Sequence, residues 1–171
     1  MNMRVTIDGI EETIMNLQNY STDLVKKANE LCKKLAELGY DVARLELSGH
    51  IYTGETIASL TVTQVDEAHY TLSAGSKALL FLEFGAGIQG VGHPLAGQFG
   101  MGAGTYPGQR HAFDPNGWWF PTDDPTLALH YDKNGQGWGH TYGNPPHMPM
   151  YQAETRIRTD IERVANEVFK K

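Results

Sequence analysis

A single cysteine, Cys32, in 171 residues excludes an intrachain disulfide and a thiolate metal cluster. Cys32 itself reads as a half-buried thiol on a helix. Positive charge is also scarce. Fourteen Lys and Arg against twenty Asp and Glu leave a net charge of -6, the wrong sign for a protein whose affinity comes from neutralising phosphates. No apolar run approaches the ~18 residues that span a bilayer, so no membrane partner is expected. The start of the chain lacks the charged-then-apolar pattern of a signal peptide, and the protein is expected to be made in the cytoplasm and to stay soluble unless a complex carries it elsewhere.

Catalytic frames are missing too. No Gly-Lys-Ser/Thr follows a strand, no Gly-x-Ser-x-Gly surrounds Ser59 or Ser73, and no paired carboxylates stand out. The histidines His50, His69, His93, His111, His130, His140 and His147 fall in no His-x-x-x-His frame. A metal-dependent hydrolase is left only as an alternative, with His111 beside Asp114, or Asp123 and Asp124 with His130, as ligands. Neither a catalytic residue nor a cofactor nor a metal is assigned, and the chain is not expected to be an enzyme.

What the sequence has is glycine and aromatic side chains in one place. Fourteen of its nineteen glycines lie between Gly85 and Gly143. Among them stand Trp118, Trp119, Phe120, Tyr131, Trp138 and Tyr142, which a flexible linker would lack. A structureless stretch this long is unusual in one domain, so residues 86–147 read as an insertion with structure of its own. Residues 118–120 and 138–142 are expected to pair as strands, with Asn134-Gly135 as the tight turn between them. The six aromatics are candidate interface residues, or else cover the domain's own sheet.

Around the insertion the pattern is α+β, in one domain. Met3, Val5 and Ile7 alternate into a turn at Asp8-Gly9 and suggest an opening strand. Ile10, Ile14, Leu17, Leu24, Ala28, Leu31, Leu35 and Leu38 follow a 4-3 spacing broken at Ser21. The spacing predicts a helix over about 11–38, stopped by Gly39 and packed on its own domain; a coiled coil is the other reading. Period-two alternation then begins at Arg44-Leu45-Glu46-Leu47. It continues through two hairpin strands near 60–65 and 70–74, with a turn at 66–69. Residues 78–84 are an apolar run, strand or helical turn. A second helix starts near Pro149, with Met150, Ala153, Ile157, Ile161, Val164 and Val168 on one stripe. Long N-terminal and C-terminal helices on a small, mainly antiparallel sheet are therefore expected.

Three motifs fall in order along this frame. Thr53-Gly54-Glu55-Thr56-Ile57-Ala58-Ser59 is a Thr-Gly step with a Ser opening a strand. Phe81-Leu82-Glu83-Phe84-Gly85-Ala86-Gly87 is an apolar run with one embedded acid and a glycine exit. Pro145-Pro146-His147-Met148-Pro149 leads into the last helix. Glu83 must be paired, hydrogen-bonded or at an edge, because an isolated carboxylate is costly to bury; a salt bridge or a backbone cap fixing the Gly85 turn is expected. With the long first helix, the trio resembles the phage tail-component family of neck, or tail-completion, proteins of long-tailed phages. The resemblance covers roughly 1–85 and 145–171. It rests on Thr53, Gly54, Ser59, Glu83, Phe84, Gly85, Gly87, Pro146 and Pro149. Thr56 stands where the family has leucine, Ala86 where it has threonine, and Met148 or Met150 where it has an aromatic.

The resemblance implies a virion structural protein made in the bacterial cytoplasm. It implies a homo-oligomeric, hexameric ring at the head-proximal end of the tail, joining tail to head and passing DNA transiently through its lumen. Implied partners are head-closure or adaptor proteins on one side and tail-terminator or tail-tube proteins on the other. The neighbouring tail-terminator ring is the alternative position. The insertion has no counterpart in short family members.

Overall fold

A computed structural model describes residues 10–49, 54–76, 78–101 and 113–170. The opening strand expected around Met3, Val5 and Ile7, and the motif residue Thr53, lie outside these. The fold is α+β, as the periodicities predict.

Helix α1 runs over Ile10–Ser48, nine residues past Gly39. Gly39 is therefore not the stop it resembles. Helix α4, Pro149–Phe169, crosses α1 there. A Cβ at Gly39 would sit 2.7 Å from Ile157 Cδ1 and 3.3 Å from Leu72 Cδ2. The glycine is a notch that lets α4 approach. The expected strand at Arg44–Leu47 is likewise corrected to the last turns of α1. Ala43 and Leu47, four apart, are buried, while Leu45 is 70% exposed, which is helical and not two-fold periodicity. Gly39→Leu is expected to cost about 1–3 kcal/mol in urea unfolding, because overpacking at this crossing outweighs leucine's better helix propensity. Unchanged stability would mean that α4 does not need the notch.

Ala153 of α4 packs with Ala43 of α1 and with Leu60, and Ile157 meets Gly39, so the two helices are antiparallel. Tyr40, Val42, Leu72, Ala74 and Met150 surround that core. The solvent face of α4 carries Arg156–Asp160, Arg158–Glu154 and Arg163–Glu167 pairs at i,i+4 spacing. Hydrogen bonds from Arg163 and Arg156 hold the Asp160 carboxyl below its ordinary range.

Short helix α2, Glu55–Ala58, leads into strands β1, Thr61–Asp66, and β2, His69–Ser73, which pair as an antiparallel hairpin. Leu60 and Leu72 turn towards the helices, and the Gln64 amide reaches Asn29 of α1. Residues 78–84 resolve as helix α3, Leu79–Phe84. The remaining strands are β3, Ala86–Gly87; β4, Trp118–Thr122; β5, His130–Tyr131; β6, Gly137–Thr141; and β7, Gly143–Asn144. In place of one small sheet there are three among the described residues, all antiparallel: β1-β2, β3-β7 and β4-β6-β5.

Candidate assembly surfaces

The insertion joins the core through a narrow neck. Ala86 pairs with Asn144 and Gly87 with Gly143, so the segment leaves and returns at adjacent points. Gly85, at φ 77°, leaves room for the return strand: a Cβ there would lie 2.9 Å from Asn144 O and from Pro146 N. Gly87, at φ 65°, lies under the Trp118 ring. The Gly-Ala-Gly motif is thus explained by close backbone approach. Pro146 is half-buried beside it.

Glu83 sits at the root of this neck and is 6% exposed. Its Oε2 accepts the Met150 N–H at 2.8 Å and its Oε1 the Tyr151 N–H at 2.9 Å. Those are two of the orphan donors at the start of α4. Met148, the N-cap, has no side-chain cap bond of its own, so a carboxylate from α3 performs the capping role that Ser or Asp usually performs locally. The helix dipole favours the negative charge there. His93 completes the set. Its Nδ1 accepts the Leu95 N–H at 3.1 Å, so the ring proton is assigned to Nε2, which donates to Glu83 Oε1 at 3.2 Å. The imidazole lies 4.4 Å from the Phe84 ring and 5.3 Å from Tyr151. Glu83 is accordingly a backbone cap, and it fixes the start of α4 more directly than the Gly85 turn. His93 comes from the insertion, so the core does not close wholly without it. Pro149, at the first helical position, is fully buried.

The other motif residues are also structural. Gly54 takes φ 67° ahead of α2. Ser59 Oγ donates to Thr56 O at 2.7 Å and accepts the Gly75 N–H at 3.2 Å, tying α2 to the end of β2. Buried Thr56 is satisfied by Ser76 at 2.7 Å.

Beyond the neck, β4, β6 and β5 form a sheet with two unlike faces. Trp118, Phe120 and Tyr131 share one. A Cβ on Gly139 would lie 2.6 Å from Phe120 Cζ, and one on Gly137 would lie 3.3 Å from Tyr131 Cε1. Aromatic rings lying over strand glycines pin the register. On the other face, Trp119 lies edge-on to His130 and His140, each at 4.8 Å, and His140 meets Tyr142 at 5.0 Å. Trp138 stacks on His130 at 6.5 Å. Trp119 is 50% and Tyr142 49% exposed. The candidate interface thus divides: Trp118 and Phe120 are half-buried and cover backbone, Trp138 is half-buried on the other face, and Trp119, Tyr142 and, on the first face, Tyr131 at 58% are exposed. Asn134-Gly135 is a turn, but it joins β5 to β6 rather than β4 to β6. The two residues of β5 carried too little pattern to be seen in the sequence.

Two of the carboxylates considered as metal ligands, Asp114 and Asp124, organise turns. Asp114 Oδ1 accepts the Asn116 N–H. Hydrogen bonds from the Thr126 hydroxyl and N–H hold the Asp124 carboxyl below its usual range. The Gln136 and Asn134 N–H groups do the same for Asp132. Among the described residues no group of three or more His, Cys, Asp or Glu could hold a metal ion, and no helix is long and apolar enough to cross a membrane. His111 lies outside the described residues.

A second surface is the N-terminal part of α1. The stripe was expected to pack on its own domain, and only its later members do, with Leu35 buried and Leu31 and Leu38 half-buried. Every residue from Ile10 to Lys26 is exposed, including Ile14 at 48%, Leu17 at 63%, Tyr20 at 68% and Leu24 at 45%. The cause is length. Running antiparallel from the Ile157–Gly39 contact, α4 ends at Phe169, opposite about residue 27 of α1 at equal rise per residue.

Compared with known proteins, the chain matches no family model, no curated protein and no solved structure.

Proposed function

We propose that the chain is a virion structural subunit of the phage neck or tail-completion type, forming a sixfold ring that joins tail to head and lets DNA pass. The observation that carries this reading is the neck. The resembling motif residues Glu83, Gly85, Gly87 and Pro149 build a joint from which a separate sheet projects, with Trp119 and Tyr142 on its open face. Exposed aromatics on a sheet anchored to a small core are what an assembly contact uses. In this reading the core domain builds the ring and the arm reaches a neighbouring head-closure or tail-tube protein.

The test is genetic. Inactivating the gene in its phage or prophage should yield filled heads and separate tails, and the wild-type gene should restore joined particles. Trp119→Ser with Tyr142→Ser should fail to restore them although the protein accumulates. Joined, infectious particles from the inactivated strain would refute the reading.

A further inference from the structure

The exposed part of α1 has a feature that the ring reading does not use. Helices in proteins owe most of their stability to burial of an apolar face. Yet Ile10, Ile14, Leu17 and Leu24 all face solvent, flanked by Tyr20 at 68% and Val25 at 38% exposure. The segment therefore needs an occupant for that face, and its own sequence describes one. The 4-3 stripe is nearly symmetric about Asn19: Ile10 mirrors Ala28, Ile14 mirrors Leu24, and Leu17 mirrors Ser21. Charge is opposed at the two ends, with Glu11 and Glu12 at one and Lys26 and Lys27 at the other, where Lys27 also pairs with Asp23 of its own helix at 3.4 Å.

We propose that residues 10–28 of α1 pair antiparallel with the same residues of a second copy, forming a two-fold helical dimer of the free protein. Antiparallel pairing about Asn19 sets Ile14 of each helix against Leu24 of the other, in the alternating layers that a 4-3 repeat provides. It also sets Glu11 and Glu12 alongside Lys26 and Lys27, and it opposes the helix dipoles. A parallel, in-register pair would bring acid to acid and base to base. The contact is isologous, whereas a ring is closed by head-to-tail contacts. The dimer is thus a different kind of contact from a ring's, and its test stands apart from that reading.

The experiment uses the full-length purified chain, with Cys32→Ser to remove the native thiol. Light scattering at tens of micromolar should give a dimer mass. Leu17→Glu with Leu24→Glu should raise the dimer dissociation constant about 100-fold or more. The near-ultraviolet signal of the core and arm aromatics should stay unchanged, which separates lost pairing from misfolding. Orientation is read by mixing Ile14→Cys and Leu24→Cys proteins under mild oxidation. The mixed 14–24 disulfide should dominate, and mostly 14–14 and 24–24 species would overturn the proposal. Reversing Glu11 and Glu12 to Lys, or Lys26 and Lys27 to Glu, should weaken the dimer, and combining both reversals should restore it. A wild-type chain that stays monomeric at these concentrations also refutes the pairing, whatever the genetic test of the ring shows.

Discussion

Glu83→Ala is expected to lower the unfolding free energy by about 3–5 kcal/mol, among the largest losses a single substitution causes. The side chain is buried and its carboxylate collects three N–H donors, from Met150, Tyr151 and His93. Alanine strands all three, and each buried donor left unsatisfied costs about 1–3 kcal/mol before any relaxation. The first turn of α4 also loses the negative charge that its dipole favours. Glu83→Gln keeps the volume and one acceptor but turns an amide N–H towards the helix end, so its loss should fall between wild type and alanine. Urea unfolding followed by far-ultraviolet circular dichroism measures both. A typical domain has only about 5–15 kcal/mol to lose, so Glu83→Ala is expected to be poorly soluble at 37 °C and should be measured at lower temperature. A loss under about 1 kcal/mol would show that the three bonds do not hold α4 in place.

Much of this was legible in the sequence, and what was missed has physical causes. The α4 stripe predicted Ala153, Val164 and Val168 correctly as buried, because a 3.6-residue period over five turns has little competition, although Met150 and Ile157 are only half-buried and Ile161 on the same stripe is 46% exposed. The β1-β2 hairpin was visible for a similar reason: residues 60, 62 and 64 and residues 61, 63 and 65 fall on opposite faces. The end of α1 was missed because a local stop signal, Gly39, serves a tertiary purpose that only the position of Ile157 reveals. Glu83 was legible as a group that must be satisfied, but not its partners. Met150, Tyr151 and His93 are 67, 68 and 10 residues away, and the chain path that brings them together depends on the neck. The stripe on α1 was seen in full. Its division into a packed part and an open part was not, because that depends on where α4 ends.

The largest effect on architecture is expected from excising residues 88–142 and joining Gly87 to Gly143 through a short turn. These two glycines are register partners across the neck, so the junction is short and the ladder from β3 to β7 survives. The helix pair, the hairpin and the α3–α4 joint all lie outside the excised segment, and the remainder is expected to unfold cooperatively. It is not expected to keep full stability. Excision removes His93, one of the three donors to Glu83 and a close ring neighbour of Phe84, and a charge-assisted hydrogen bond with its packing should account for a loss of about 2–4 kcal/mol. Trp119→Ser with Tyr142→Ser makes the contrast, since both side chains are about half exposed and the pair should cost no more than about 1 kcal/mol. Thermal and urea unfolding of the three proteins separate two roles within the one insertion. The excised chain should be weaker than the face variant because residues near the neck complete the core, while the sheet beyond presents a surface. Equal stability of excised and wild-type chains would leave His93 without a structural part. Absence of a cooperative transition would mean instead that the insertion is as much the core as the helices are.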